Sequence, residues 1–364
     1  MSARAAPLIN NNLVLTPPGV VGDSDRSEVA QARHRGHMQV KRKWGAVLGA
    51  VLIAATVAGC AGKVGENGRV GVVYLNAEGY YAGVARGLNG TFSEMPDAPQ
   101  LLASNIQSDA SKESTFVDTV VSVKADALII SPASATASVP ALRLAHDGGV
   151  PIICYNTCVE DEAARDLVSA YVLGDPKEFG AASGRQMAAY FQQQGITAPK
   201  VAVINCEQFE VCIQRRIGFE EALTAAAPGA TIVANQQGLT LDDAVQRAEQ
   251  ILTAQPDVDA FYGEAGSQMI GAARAVQARG KAGAVVVFGG DMSTQAAGML
   301  RDGTILKGVT DISGIKVGEL AGRAAVDVID GNPPAEFVIP APVDEYIGAQ
   351  AAADWIATHP DGIP

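Results

Sequence analysis

The sequence predicts an α/β protein with two lobes, each built around a doubly wound parallel sheet. After Arg69, short apolar runs rich in β-branched residues alternate with amphipathic, Ala-rich stretches, a pattern typical of βαβ units. The runs lack polar alternation, as expected of strands that helices cover on both faces. Ten predicted strands exceed one ordinary sheet, so we expect two sheets. The predicted strands are Val70–Leu75, Leu101–Ser104, Ala127–Ile130, Ile152–Tyr155, Ser169–Leu173, Val201–Ile204, Thr231–Ala234, Ala260–Tyr262, Val285–Phe288 and Leu306–Val309.

The segment from Met38 to Cys60 has the layout of a secretory signal peptide. A basic stretch precedes an apolar run, and small residues precede Cys60. The apolar stretch Trp44–Gly59 is 16 residues long, shorter than the run of about 18 that indicates a membrane-spanning helix. Val57-Ala-Gly-Cys60 resembles the bacterial lipobox, which implies lipidation of Cys60. The alternative is an uncleaved signal anchor.

Residues 1–37 do not match this layout, because they contain Pro17-Pro18, several Asn and scattered charges. We therefore interpret Met38 as the true start and expect residues 1–59 to be removed. The mature chain would run from Cys60 to Pro364, with residues 60–68 as a lipidated, flexible tether. The remainder is long enough for two lobes of ordinary domain size.

The charge and composition exclude several classes of function. Residues 1–59 carry seven Lys or Arg and three Asp or Glu, so the mature chain keeps 20 basic and 36 acidic residues, a formal charge of −16. Nucleic acid is therefore not an expected partner. Only His146 and His359 remain, which disfavours zinc sites and His-based catalytic triads. Without a G-x-G-x-x-G or Walker loop, we expect no cofactor and no metal.

Polar residues recur at the carboxyl ends of the predicted strands. In open parallel sheets, ligands bind outside these ends, where helix N-termini also offer backbone N–H groups. Two sheets facing each other would bring these residues into one cleft. The candidate ligand-binding residues of this kind are Tyr74, Glu78, Ser108, Asp109, Asn156, Thr157, Glu264, Asp291 and Asp311.

Several sequence blocks between Arg69 and about Ile347 are typical of one known family. The blocks are Val70-Gly-Val-Val-Tyr-Leu-Asn-Ala-Glu-Gly-Tyr-Tyr81 with Gly87, Ala127-Leu-Ile-Ile-Ser-Pro132, Gly149-Val-Pro-Ile-Ile-Cys-Tyr-Asn156, Arg215-Arg-Ile-Gly-Phe219, Ala254-Gln-Pro-Asp-Val-Asp-Ala260 and Val287-Phe-Gly-Gly-Asp291. In this order and register they resemble the ribose/galactose-type periplasmic binding proteins, which are the solute-binding components of ABC importers.

The resemblance implies a type I periplasmic binding fold, with two lobes joined by a three-crossover hinge that can open and close. We place the crossovers near Gly174–Pro176, Asp311–Ser313 and Phe337–Ile339. The N-terminal lobe would comprise residues 69–174 and 312–338. The C-terminal lobe would comprise residues 175–311 and 339–364.

The resemblance also assigns four ligand contacts. The aromatic pair that stacks on a sugar ring falls on Tyr80 and Tyr81, because rigid rings cover the apolar C–H faces of a sugar. The hydroxyl-binding arginine falls on Arg215, and the carboxylate acceptor falls on Asp291. The alternatives are packing tyrosines, a surface salt bridge for Arg215 and a helix N-cap for Asp291.

Two departures from the family pattern bear on the ligand. Sugar-binding members commonly carry Asp-Arg where this chain has Asn156-Thr157, and Asn-Asp where it has Ala265-Gly266. These losses argue against ribose or galactose as the ligand. The inferred cleft is also rich in acids, with Arg215 as its balancing cation, so a cationic or amino-bearing ligand is an alternative.

Four cysteines remain after Cys60, and an exported location with an even number favours disulfides. We predict the local pairs Cys154–Cys158 and Cys206–Cys212, because bonds across the two groups would oppose hinge motion. Each should stabilise the fold by less than the roughly 3 kcal/mol of a 15-residue loop. A redox enzyme is disfavoured, because Cys-x-x-Cys is absent.

The leading hypothesis is an extracytoplasmic, lipid-anchored receptor that delivers a small polar, sugar-like solute to an ABC permease. We expect it to act as a monomer held at the membrane by the lipid on Cys60. A ligand-sensing module coupled to a membrane signalling partner is the alternative, since the same fold serves both roles. An enzyme ranks last, because the residues supply no evident nucleophile–base pair or metal-ligand spacing.

Overall fold

A computed structural model describes residues 68–364. The predicted signal segment, the lipidation site Cys60 and tether residues 60–67 lie outside the described residues. Among the helices of residues 68–364, none is both long enough and apolar enough to cross a bilayer.

The first lobe contains a six-stranded, all-parallel sheet of order β11-β5-β4-β3-β1-β2. Helices pack on both faces, and each face buries its own apolar cluster. Its elements are β1 Arg69–Tyr74, α1 Tyr80–Ser93, β2 Gln100–Asn105, α2 Ala110–Ser122, β3 Ala127–Ile130, α3 Val139–Asp147, β4 Ile152–Tyr155, α4 Asp161–Leu167, β5 Ala170–Gly174, α10 Gly314–Ile329 and β11 Val338–Ala341.

The second lobe repeats this plan with the order β12-β10-β9-β8-β6-β7. Its strands are parallel except β12, which pairs antiparallel with β10 at the sheet edge. Its elements are α5 Pro176–Gln193, β6 Lys200–Asn205, α6 Glu210–Ala226, β7 Thr231–Gln237, α7 Leu241–Ala254, β8 Ala260–Gly263, α8 Gly266–Ala278, β9 Val286–Gly290, α9 Thr294–Asp302, β10 Leu306–Asp311, β12 Asp344–Ile347 and α11 Gly348–Thr358.

The two-lobed parallel-sheet architecture predicted from the sequence is confirmed, with two edge strands added. The β-branched run in β11 is only two residues long, Val338-Ile339, and β12 contains one such residue, Ile347. Pro340 lies within β11, and Asp344 and Glu345 open β12. Proline and charged residues are tolerated at sheet edges because one side of an edge strand needs no ladder partner.

The chain crosses between the lobes at Asp175, at 312–313 and at 342–343. The third crossing lies later than the predicted Phe337–Ile339, because β11 still pairs with β5 of the first lobe. The C-terminal residues also return to the first lobe. Asp361 forms an ion pair with Arg86 of α1 at 2.5 Å, and the Pro364 carbonyl accepts from the Ile315 N–H at 3.2 Å. The prediction that residues 339–364 belong wholly to the second lobe is therefore wrong, because part of this segment contacts the first lobe.

Glycines bring one helix pair into close contact in each lobe. At Gly314, a Cβ would overlap the carbonyl oxygen of Tyr80, and at Gly180 it would overlap that of Arg215. Helix α10 therefore packs directly against the first turn of α1, and α5 packs against α6. Both contacts position a residue that the sequence analysis assigns to the ligand site.

Candidate functional site

Tyr80 and Tyr81 form the aromatic surface of the first lobe. They open helix α1, which follows Gly79 at a φ of 52°. Their rings pack edge to face, with centroids 5.3 Å apart, and Tyr81 also packs against the buried Tyr155 at 6.2 Å. Tyr81 is buried and Tyr80 is half-buried. Tyr81 therefore supports Tyr80, whose ring remains partly accessible.

A hydrogen-bond network of uncharged side chains extends from this aromatic surface across the carboxyl ends of β3 and β4. We call the surface and the network together the first-lobe wall. The Asn156 amide donates to the Tyr81 hydroxyl at 3.0 Å. The Ser131 hydroxyl lies 3.4 Å from that of Tyr81 and 2.8 Å from that of Thr157. The Tyr171 hydroxyl donates to the Asn156 carbonyl at 3.0 Å. The first lobe thus presents fixed hydroxyl and amide groups without a charged member in this network.

A short loop between Cys154 and Cys158 holds the backbone of this network. Asn156 has a φ of 60°, in the left-handed region that Asn tolerates better than most residues. The structure pairs Cys154 with Cys158 across the loop, with a Cα–Cα distance of 5.5 Å. The loop therefore fixes Asn156 and Thr157 at the carboxyl end of β4.

Arg215 is the central charged group of the second lobe. Its Nη1 donates to the Glu264 carbonyl at 2.8 Å and to Asp291 Oδ1 at 3.3 Å. Its guanidinium carbon lies 3.7 Å from the centre of the Phe179 ring, a cation–π contact. The Arg215 side chain is only 10% exposed, so this is not the surface salt bridge considered as the alternative.

Asp291 lies after β9 with a φ of 66°. Its Oδ2 accepts from the Gly266 N–H at 3.1 Å, while Oδ1 pairs with Arg215. Its side chain is 41% exposed, so it can also reach a ligand. The N-cap of α9 is Ser293, so Asp291 does not cap the helix that follows it and instead accepts from the first residue of α8.

Glu264 and Asp311 are buried braces of the second lobe. Glu264 Oε2 accepts the Cys206 N–H at 2.8 Å, and Asp311 Oδ1 accepts the Met292 N–H at 2.9 Å. Burial raises the pKa of Glu264 to about 8 and that of Asp311 to about 7. The structure therefore does not place these predicted residues as exposed anions, and it removes two acids from the expected acid-rich cleft.

Charges of the second lobe act on the aromatic pair of the first. Burial raises the pKa of Tyr80 well above its usual value, and the charges of Arg215 and Asp291 act on it in opposite directions. Asp291 also raises the pKa of Tyr81, after the larger effect of burial. These effects support an arrangement in which the carboxyl ends of the two sheets face each other.

Within residues 68–364, the side chains of the other predicted residues make no hydrogen bond to this cluster. Tyr74 packs against the first-lobe core, and burial raises its pKa to about 12. Glu78 and Ser108 are exposed. Asp109 Oδ1 caps helix α2 by accepting from the N–H groups of residues 111 and 112 at 2.8 and 3.2 Å. The strand-end rule alone does not distinguish a capping carboxylate from a ligand contact.

Three residues at the site were missed by the sequence analysis. Ser131 follows β3, so the strand-end rule could have identified it. Tyr171 and Phe179 reach the site only through tertiary packing, and neither carries a local sequence signal. Phe179 is fully buried and lies between Arg215 and Gly290.

Comparisons with known proteins agree with this architecture. The family described as "Periplasmic binding protein domain" matches residues 70–333. The chain is 45% identical over 295 residues to the ABC transporter periplasmic-binding protein YphF of Escherichia coli, covering 81% of this chain and 90% of the relative. It is 27% identical over 247 residues to the D-ribose/D-allose-binding protein of Pseudomonas aeruginosa, covering 66% and 76%.

Among solved structures, a periplasmic solute binding protein from Actinobacillus succinogenes with bound D-allose superposes with a TM-score of 0.71. The identity is 21%, and the match covers 79% of this chain and all of that structure. At this identity the likeness establishes the shared fold.

Proposed function

The chain belongs to the periplasmic binding protein family, and from this membership we propose that it binds a small neutral sugar or polyol between its lobes. It then delivers this solute to an ABC importer. The observation that carries the proposal is the placement of Tyr80 after β1 in one lobe and of the Arg215–Asp291 pair after β9 in the other, each at the carboxyl end of its sheet. An aromatic face suits the C–H side of a sugar, while a paired cation and carboxylate suit its hydroxyl groups.

The charge balance supports a neutral ligand over a cationic one. Arg215 and Asp291 form an ion pair at 3.3 Å, so neither presents an unbalanced charge to the cleft. Glu264 and Asp311 are 0% and 3% exposed and accept backbone N–H bonds. On the first lobe, Tyr81, Ser131, Asn156 and Thr157 offer neutral groups alone.

The names of the relatives support the same class of ligand. One relative is named for D-ribose and D-allose, and one structural neighbour holds D-allose. The absence of the Asp-Arg and Asn-Asp pairs of the sugar-binding members argues against ribose and galactose themselves. We therefore propose a sugar or polyol with a different hydroxyl pattern.

A thermal-shift screen of the purified protein tests this proposal. The panel contains D-ribose, D-allose, D-galactose, myo-inositol, a nucleoside and a set of amino acids and polyamines. A ligand at a hundred times its Kd stabilises the native state by about 2.7 kcal/mol, which raises the melting temperature measurably. We expect a sugar or polyol to raise it. A shift with amino compounds alone, or with none of the panel, contradicts the proposal.

The delivery role is a proposal that the ABC-transporter name of the 45% identical relative supports. Binding of the ligand-loaded protein to an ABC permease of the same organism, together with permease-dependent uptake of the sugar, tests this role. Binding to a membrane signalling protein in place of a permease would favour the sensory alternative.

We also propose an extracytoplasmic location and lipid anchoring through Cys60, on the evidence of the lipobox-like Val57-Ala-Gly-Cys60. Growth with a labelled fatty acid should label the wild-type protein and not the Cys60→Ala variant. The mass of the mature wild-type protein should correspond to cleavage before Cys60. Labelling of the Cys60→Ala variant would show that the anchor is elsewhere.

Both cysteine pairs are proposed to be oxidised in the exported protein. Each pair lies at a Cα–Cα distance of 5.5 Å, within the usual range for a disulfide. Peptide mapping of the non-reduced protein should link Cys154 to Cys158 and Cys206 to Cys212. Four free thiols, or a link between the two groups, would contradict this assignment.

A further inference from the structure

Phe209 occupies a position that neither core packing nor helix capping explains. It is 50% exposed, whereas the other phenylalanines in residues 68–364 are buried or half-buried. It is also the N-cap of α6 and makes no side-chain capping bond. Ser, Thr, Asn and Asp are preferred there, because their side chains accept helix N–H groups. Breaks of local rules of this kind are expected at functional sites.

The loop that carries Phe209 is fixed at both ends. The pair Cys206–Cys212 closes it. The Phe209 N–H donates to the Cys206 carbonyl at 3.1 Å, and the Phe209 carbonyl accepts from the Cys212 N–H at 3.0 Å. An aromatic ring on such a backbone loses little conformational freedom when a ligand covers it.

The loop lies at the carboxyl end of β6, beside the strand end that carries Glu264. The Cys206 N–H donates to Glu264 Oε2 at 2.8 Å, and the Glu264 carbonyl accepts from Arg215 Nη1, also at 2.8 Å. Helix α6 begins within the same loop and carries Arg215. The disulfide is therefore connected to Arg215 both along the helix and through Glu264.

Building on the proposed sugar-binding function, we infer that the Cys206–Cys212 loop is part of the ligand site. Phe209 supplies the second lobe's apolar surface for a C–H face of the sugar, as Tyr80 does from the first lobe. The disulfide positions Phe209 directly and supports Arg215 through Glu264. Sugars have two such faces, so an aromatic group on each lobe would favour the ligand in the closed state.

Calorimetric titration tests this inference, with whichever of D-ribose, D-allose and myo-inositol binds the wild-type protein most tightly. Phe209→Ala should weaken binding by about three- to tenfold, the equivalent of losing one aromatic contact. Phe209→Tyr should stay within about twofold of wild type, because the ring face is kept. In Phe209→Trp, the new indole should change its emission when the sugar binds, whereas the buried Trp355 of the wild type should not.

Ile347→Ala is the matched control. Ile347 is likewise an exposed apolar N-cap residue, at 59%, on α11 of the same lobe. It pairs with Gly308 near the start of β10, so it lies toward the amino ends of the parallel strands, opposite the cleft. The Ile347→Ala variant should bind the sugar with the affinity of the wild-type protein.

A double-mutant cycle tests the positioning role of the disulfide. Cys206→Ser/Cys212→Ser should weaken binding by a similar factor, and adding Phe209→Ala to it should cost little more. Wild-type affinity in Phe209→Ala, whose exposed side chain can be lost without unfolding, overturns the inference while leaving the proposed function intact. Full additivity in a folded triple variant overturns the positioning role. A wild-type protein that binds no sugar or polyol of the thermal-shift panel overturns both the inference and the proposed function.

Discussion

The two walls of the proposed cleft present different chemical groups to the ligand. The first-lobe wall consists of Tyr80, Tyr81 and a hydroxyl and amide network centred on Asn156. The second-lobe wall consists of the ion pair Arg215–Asp291, supported by buried acids. A neutral wall can be built at little desolvation cost, whereas a charged wall must pair its charges and brace them. Charge should therefore contribute most of the binding energy at the second lobe. Shape complementarity should contribute most of it at the first lobe.

Removing Arg215 should cause the largest loss of sugar affinity. Arg215→Ala leaves Asp291 without its cationic partner and removes the cation–π contact with Phe179. We expect sugar affinity to fall by about ten- to hundredfold, because a hydrogen bond to a charged group contributes about 1.5–3 kcal/mol. Calorimetric titration measures this loss.

Arg143→Ala is the control for the loss of an exposed pair. Its partner Asp166 lies at 3.4 Å, and both side chains are more than half exposed. This variant should bind the sugar as wild type does. An Arg215→Ala variant that kept wild-type affinity would refute the role of the charged wall.

The buried acid Glu264 should make the stability of the second lobe depend on pH. Its pKa is raised from the usual 4.5 to about 8 by burial, so the folded protein holds a proton that the unfolded chain releases. Its stabilising contribution is therefore complete below about pH 4.5 and is lost as the pH rises toward 8. Glu264→Gln removes this dependence.

Relative to wild type, the free energy of unfolding of Glu264→Gln should therefore rise by about 3.5 kcal/mol between pH 5 and pH 8. Urea titrations at the two pH values measure the difference. A constant gap between the two proteins, or one that changes in the opposite direction, would show that Glu264 is ionised in the folded state.

Two substitutions at Asn156 separate the contribution of its side-chain hydrogen bond from that of its left-handed backbone. Asn156→Ala loses the bond to Tyr81 and puts at a φ of 60° a residue that tolerates the left-handed region less well than Asn, so it should destabilise the fold by about 2 kcal/mol. Asn156→Gly loses the same bond without the backbone strain and should cost about half as much. Equal losses in chemical denaturation would show that the left-handed backbone carries no strain.

The smallest effect is expected at the hydroxyl of Tyr80. Tyr80→Phe keeps the ring face and should change sugar affinity by less than about twofold, because stacking depends on the ring. Calorimetric titration beside wild type measures this change. A tenfold loss would mean that the hydroxyl is itself a ligand contact and that the first wall acts through polar bonds.

The sequence predicts those parts of the molecule whose signal is local. Apolar β-branched strands such as β1 and β8 were identified, because burial on both faces dictates their composition. The edge strands β11 and β12 were missed, because Pro340, Asp344 and Glu345 obey edge rules and not core rules. The late third crossover follows from the same omission.

At the site, the resemblance indicates Tyr80, Tyr81, Arg215 and Asp291, and the structure pairs Tyr80 with Tyr81 on one lobe and Arg215 with Asp291 on the other. Phe179 was not predictable, because its contact with Arg215 depends on how α5 packs against α6. Asp109 caps α2, a role that an Asp directly before a helix ordinarily has, and its contact with a ligand stays a prediction. Glu264 and Asp311 follow strand ends as ligand-binding carboxylates do, so the sequence does not distinguish them. In the structure they are buried and accept backbone N–H groups.

The central claim is that one ligand site is shared by both lobes, and one pair of variants tests it most directly. Tyr80→Ala alters the first wall and Asp291→Ala alters the second, and each is titrated calorimetrically with the same sugar, with thermal melts to establish folding. We predict a loss of about tenfold or more in both variants, with wild-type melting temperatures in the absence of sugar. Wild-type affinity in either folded variant would place the ligand on a single lobe and contradict the shared site.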